Sequence, residues 1–125
     1  MVHDAARCCL PAEALTRLLD EAGENDEGGI LAIPVADTLK RADGSHHIDE
    51  TVARAGLWQA QTPQLFQTAL LNRALSVDDL SEITDEASAV EKLGIRPRLV
   101  QGDTRNLKLT LPQDEYIVRL LLKAV

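Results

Sequence analysis

Aromatic residues are nearly absent: Trp58, Phe66 and Tyr116 are the only three among 125 residues. So few rings exclude the stacking platforms on which single-stranded nucleic acid is usually held. Cysteine is confined to Cys8 and Cys9. Adjacent cysteines rarely reach disulfide geometry, which fits a reducing, cytoplasmic setting. No apolar run is long enough to span a bilayer, and the first residues lack a basic flank followed by an apolar stretch. A soluble chain without a membrane partner is expected. Basic residues are also in deficit, 13 Lys and Arg against 20 Asp and Glu, for a net charge of −7. They are scattered, so no nucleic-acid backbone is expected as a partner, and a phosphate ligand must be held by local positive groups.

What remains is an ordinary globular composition, 45% hydrophobic and 26% charged. That range supports a folded core and argues against disorder. Leu10, Ala14, Leu15, Leu18, Leu19 and Ala22 recur at helical spacing, with Pro11 at a tolerant first-turn position, and predict a helix from Pro11 to about Ala22. Gly29 to Val35 (GILAIPV) is a continuous apolar run of strand length, suited to a strand covered on both faces as in a parallel sheet. The stretch of about 37–61 is polar. An Asp43-Gly44 turn signal separates two short β-prone runs, Thr38 to Arg41 and Ile48 to Arg54, and predicts a hairpin with too little apolar surface for its own core. Such an arm must pack on something else, and a second subunit is a reasonable candidate.

After the Thr62-Pro63 corner, Leu65 to Leu75 reads as a helix. Thr84 reads as the cap of a short helix, with Asp85 and Glu86 in its first turn and Gly94 beyond its end. Arg98 to Gln101 and Leu107 to Leu109 are strand candidates. Thr110 with Gln113 has the spacing of a capping box for a final helix running to the C-terminus, with Ile117, Leu120, Leu121 and Ala124 inward. This order of elements is α/β with an inserted arm.

Few residues carry chemical promise on their own. Asp4 and Arg7, in VHDAAR (2–7), combine an acid that suits a metal or hydroxyl with an arginine fork that suits phosphate. From the local pattern alone, a helix cap and a surface ion pair are the commoner use of such a pair. Lys108, between apolar neighbours in NLKLT, suits phosphate charge neutralisation or plain solvent exposure. Thr38, Arg41, Arg54 and Thr62 offer hydroxyls and guanidinium groups fit for a phosphate or polyol, or simply solvate the arm. His46 and His47 lack a third ligand at fixed spacing and read as loop surface, while Cys8 and Cys9 read as small packing residues. Unaided, the residues point to a phosphate-handling α/β domain.

Five blocks in order, VHDAAR (2–7), GGILAIPVADTLKR (28–41), TVARAGLWQAQTPQLF (51–66), ITDEASAVEKLG (83–94) and NLKLTLPQD (106–114), together resemble the 2-C-methyl-D-erythritol 4-phosphate cytidylyltransferase family. The resemblance implies a Rossmann-like nucleotidyltransferase sheet, here incomplete, carrying an inserted β-hairpin dimerisation arm. It implies CTP and a polyol phosphate as substrates, Mg2+ as cofactor and a homodimer. By the same resemblance Asp4 contacts the polyol near the metal, Arg7 accompanies it, and Lys108 contacts the substrate phosphates. Thr38 and Arg54 reach the polyol phosphate of the neighbouring subunit, and Thr62 lies before the Pro-Gln pair.

Two departures from the family pattern stand out. Cys8 follows VHDAAR where the family commonly has proline, which frees a φ angle. The first strand and glycine-rich CTP loop of the family have no counterpart in these residues. The expectation is therefore a chain inactive alone, with apolar edges such as GILAIPV exposed, and either poorly soluble or dependent on a partner. A cytidylyltransferase for another polyol phosphate such as ribitol 5-phosphate, and a non-catalytic interaction module, are the alternatives.

Overall fold

The computed structural model describes residues 1–77 and 79–124. Helix α1 (Ala12–Ala22) follows an extended Pro11 and is succeeded by strand β1 (Gly29–Pro34). Strands β2 (Leu39–Ala42) and β3 (Ile48–Val52) form an antiparallel hairpin that makes a separate two-stranded sheet. Then come β4 (Trp58–Leu65), α2 (Thr68–Leu75), α3 (Glu86–Glu91), β5 (Arg98–Gln101) and α4 (Asp114–Lys123).

The main sheet has the order β4-β1-β5. The apolar run expected at an open edge is instead its central strand. β1 pairs antiparallel with β4 and parallel with β5, so the sheet is mixed rather than parallel. Side chains alternate between faces along a strand, and β1 uses both. Leu31 and Val100 pack under Ala14, Leu18 and Ala22 of α1. On the opposite face Ile30 packs with Phe66, Ala74, Ala87, Ala89 and Val90, largely from α2 and α3. Coverage of both faces explains why this strand reads as one unbroken apolar run.

Several expectations need correction. The segment after the hairpin is a strand to Leu65, and helix α2 begins only at Thr68. Its glutamines conceal the strand: Gln61 and Gln64 are buried, satisfied by hydrogen bonds that a polarity pattern does not register. The Thr62-Pro63 peptide, cis in this structure, lies inside β4 rather than at a corner. Asp85, not Thr84, caps α3, in a reciprocal capping box with Ser88.

Leu107 to Leu109 forms no strand but lies in an irregular loop, tied by the Leu109 N–H to the Ala6 carbonyl at 2.9 Å. Gln113 makes no side-chain cap. The Asp114 carboxylate instead reaches back to accept from the N–H groups of Thr110 and Leu111. In α4, Val118 is the buried residue, whereas Ile117 and Leu120 stand about half exposed, at 49% and 52%. Of the set expected to face inward only Leu121 is partly covered, and Ala124 is exposed. The helix thus turns a narrow stripe inward, beside Cys9, whose thiol contacts the Val118 carbonyl at 3.9 Å. The helix ends at Lys123 with Ala124 as its cap, and Val125, its expected end, lies outside the described residues.

Candidate functional site

The opening VHDAAR segment is fastened to the sheet edge. Val2 and Gln64 exchange both backbone hydrogen bonds, at 2.9 and 2.8 Å, so one antiparallel bridge extends the sheet beyond β4. This bridge delivers His3 and Asp4 onto Thr62. The Thr62 hydroxyl accepts the Asp4 backbone N–H at 2.8 Å and lies 2.9 Å from His3 Nδ1. The His3 Nε2 atom lies 2.9 Å from the Arg7 carbonyl, closing a tight turn.

A cleft of about 340 Å³ opens above these residues. Asp4, Arg7, Thr62 and Lys108 all line it, joined by Thr84, Asp85 and Glu86 from the start of α3. Four of the six residues to which the family resemblance assigns roles thus line one cleft. Lys108 Nζ stands 3.9 Å from Asp4 Oδ2, and Arg7 Nε stands 3.4 Å from the same oxygen. The two cations differ in availability. Arg7 is only 12% exposed, and its Nη1 and Nη2 donate to the Asn106 and Ala60 carbonyls at 2.7 and 3.4 Å. Its fork braces the wall of the cleft. Lys108 is 51% exposed, with Asp4 its one ion-pair partner among the described residues, so its ammonium retains donors for an anion.

The acids at the start of α3 are similarly divided. Asp85 Oδ1 accepts from Ser88 N–H at 2.8 Å and Oδ2 from Gln64 Nε2 at 2.9 Å, which makes it a cap rather than a free ligand. Glu86 lies in the first helical turn and lines the cleft. Among the described residues no group of three or more His, Cys, Asp or Glu is arranged to hold a metal. Magnesium needs no such cage: it is often held by one or two carboxylates together with substrate phosphates. Asp4 fits that limited role, its carboxylate 38% exposed and facing the cleft.

Thr38 and Arg54 lie elsewhere. Thr38 is exposed just before β2, and Arg54, beyond β3, donates through Nη1 to the Ala36 carbonyl. Neither lines the Asp4 cleft. A larger hollow of about 710 Å³, between the ends of β1 and β5, contains none of the six residues. At the hairpin tip, the Asp43 carboxylate accepts from the N–H groups of Ser45 and His47, which holds its pKa below the usual range and leaves both histidines exposed. Burial and the neighbouring Cys8 push the Cys9 thiol up, away from reactive thiolate character.

The residues missed by sequence reasoning are buried amides: Gln61 and Gln64 line the cleft, and Asn106 is bonded to Gln61 and Thr62 of its wall. The sole signal for them is an unusual density of polar residues beside apolar ones in QTPQ and NLKLT.

The comparisons with known proteins agree. The family model described as "IspD: 2-C-methyl-D-erythritol 4-phosphate cytidylyltransferase" matches residues 1–124. A protein of that name from Neisseria gonorrhoeae (strain NCCP11945) is 74% identical over 125 residues, covering 100% of this chain and 54% of the relative. One from Thiobacillus denitrificans is 56% identical over 98% of this chain and 54% of its own length. A crystal structure of a 4-diphosphocytidyl-2C-methyl-D-erythritol synthase superposes with a TM-score of 0.92 at 71% identity, over 98% of this chain and 56% of the other. The 2-C-methyl-D-erythritol 4-phosphate cytidylyltransferase of Thermus thermophilus gives 0.87 at 32% identity, over 98% and 60%. The chain therefore spans about half the length of the curated relatives it matches. With its described fold, its cleft and a family match along nearly its whole length, the chain belongs to the 2-C-methyl-D-erythritol 4-phosphate cytidylyltransferase family.

Proposed function

We propose that these residues form the polyol-phosphate side of a cytidylyltransferase, which transfers CMP from CTP to 2-C-methyl-D-erythritol 4-phosphate and releases pyrophosphate. The observation that carries this reading is the Asp4–Lys108 pair, a carboxylate and an available ammonium 3.9 Å apart in one cleft. A phosphate oxygen of the polyol attacks the α-phosphorus of CTP in line. A new P–O bond forms, and the bond from the α-phosphorus to the pyrophosphate oxygen breaks. Such transfer depends on positioning and on neutralising charge as it develops, with little covalent work for the protein.

Lys108 supplies the fixed positive charge, and Asp4, held by Thr62, orients the polyol. Asp4 is also the carboxylate that would share a divalent cation, and that cation, when bound, offsets triphosphate charge. Thr38 and Arg54, which do not line this cleft, serve the cleft of a second copy through the exposed β2–β3 hairpin. The test uses these 125 residues carried in a chain of the relatives' full length. Lys108→Ala should lower kcat by about 10²-fold or more. Unchanged turnover removes Lys108 from the reaction.

A further inference from the structure

Lys108 sits in a loop without a ladder to hold it, so the position of its ammonium depends on a few anchors. Among the described residues, Asn106 is the most deeply buried of these. Its side chain is 0% exposed, and Nδ2 donates to the Thr62 carbonyl at 2.8 Å and to Gln61 Oε1 at 3.2 Å. Its own carbonyl accepts from Arg7 Nη1 at 2.7 Å, and its N–H donates to the Asp103 carbonyl at 3.0 Å. One residue thus joins the loop, β4 and the VHDAAR segment. The Gln61 amide completes the knot by donating to the Asp103 carbonyl at 3.0 Å. It passes over Gly102, where a Cβ would lie 2.5 Å from Gln61 Oε1.

We infer that Asn106 is a positioning residue for phosphoryl transfer: it fixes Lys108, two residues along, relative to Asp4 and Thr62. The amide is suited to this by its donors. Both of its N–H groups are used, whereas Oδ1 is buried without a partner among the described residues. An aspartate of the same shape would lose the donors and place a charge against the Thr62 carbonyl. Asn106 itself touches no substrate. Its effect on the reaction passes through Lys108, and a displacement of the ammonium by about 1 Å is enough to cost on the order of 10²-fold in rate.

This inference rests on the cytidylyltransferase reading, and a double-mutant cycle in the full-length chain separates the two. Pyrophosphate release from CTP, 2-C-methyl-D-erythritol 4-phosphate and magnesium is measured for the unsubstituted chain, Asn106→Ala, Lys108→Ala and the double variant, with melting of each. Asn106→Ala should lower kcat about 10²-fold while KM moves less than about threefold, and in the Lys108→Ala background the same change should cost less than about threefold. Equal losses in both backgrounds overturn the assignment and leave Asn106 a structural residue only. If Asn106→Ala does not fold, Asn106→Ser takes its place, and failure of both to fold likewise overturns it. An inactive unsubstituted chain refutes the cytidylyltransferase reading itself.

Discussion

The hydroxyl of Thr62 accepts the backbone N–H of Asp4 at 2.8 Å, across 58 positions of sequence. That bond makes the β4 strand the support for an acid delivered by the start of the chain. Thr62 is buried, so removing its oxygen leaves Asp4 N–H without a partner. Thr62→Val should destabilise the chain by about 1–2 kcal/mol, and Thr62→Ser should recover most of the loss. Denaturant midpoints at constant slope give the comparison, and equal midpoints for the two variants refute the role of the hydroxyl.

Gln64 connects three segments. Its Oε1 accepts the Ala87 N–H at 2.9 Å, its Nε2 donates to Asp85 at 2.9 Å, and its backbone pairs with Val2. Gln64→Leu keeps the backbone bridge but strands the Ala87 donor, with an expected cost of about 2 kcal/mol. Hydrogen exchange should show the loss concentrated at α3. Uniform loss of protection throughout the sheet contradicts this.

Gly28 adopts φ +78°, and a Cβ there would lie 2.3 Å from the Phe66 ring. Gly28→Ala therefore combines left-handed strain with a clash and should cost at least about 2 kcal/mol. Gly44 at the hairpin tip has nothing within 4 Å of such a Cβ. Gly44→Ala should stay within about 0.5 kcal/mol of the parent, and similar melting of the two variants refutes the distinction.

Hydrogen bonds from the Arg105 guanidinium pull the Asp103 carboxyl from its ordinary 3.8 down to about 2. A folded-state pKa below the unfolded one contributes stability that is present above about pH 4 and is lost as pH falls toward 2. Asp103→Asn should be less stable than the parent at pH 6, and the gap should close between about pH 4 and 2. A gap that is independent of pH sinks the assignment to this ion pair.

Arg54 lies beyond β3, on the arm, and does not line the cleft. If its arm serves a second copy, full-length Arg54→Ala and Lys108→Ala chains, each strongly impaired alone, should restore about a quarter of parental turnover when mixed and allowed to exchange. No recovery refutes a shared site.

The legible parts of the fold were those written in apolar periodicity. GILAIPV reads as a doubly covered strand because Ile30 and Leu31 do face opposite layers, and α1 follows from its leucine spacing. Polar residues with buried partners were not legible. β4 hides behind Gln61 and Gln64, and the role of Asn106 depends on contacts with Thr62 and Arg7, 44 and 99 positions away. Helix α4 misled for the opposite reason: its apolar residues satisfy an inward periodicity, yet Ile117 and Leu120 remain about half exposed. Asp4, Arg7, Thr62 and Lys108 were singled out through ordered motif blocks, but that they line one cleft is a property of the fold.

The most direct measurement is pyrophosphate release from CTP and magnesium by the full-length chain, with 2-C-methyl-D-erythritol 4-phosphate or ribitol 5-phosphate as acceptor, beside the 125-residue chain alone. Turnover by the full-length chain with the methylerythritol phosphate, and little with the ribitol phosphate, is the expected result. Preference for the ribitol phosphate, or no turnover with either, contradicts the proposed reaction.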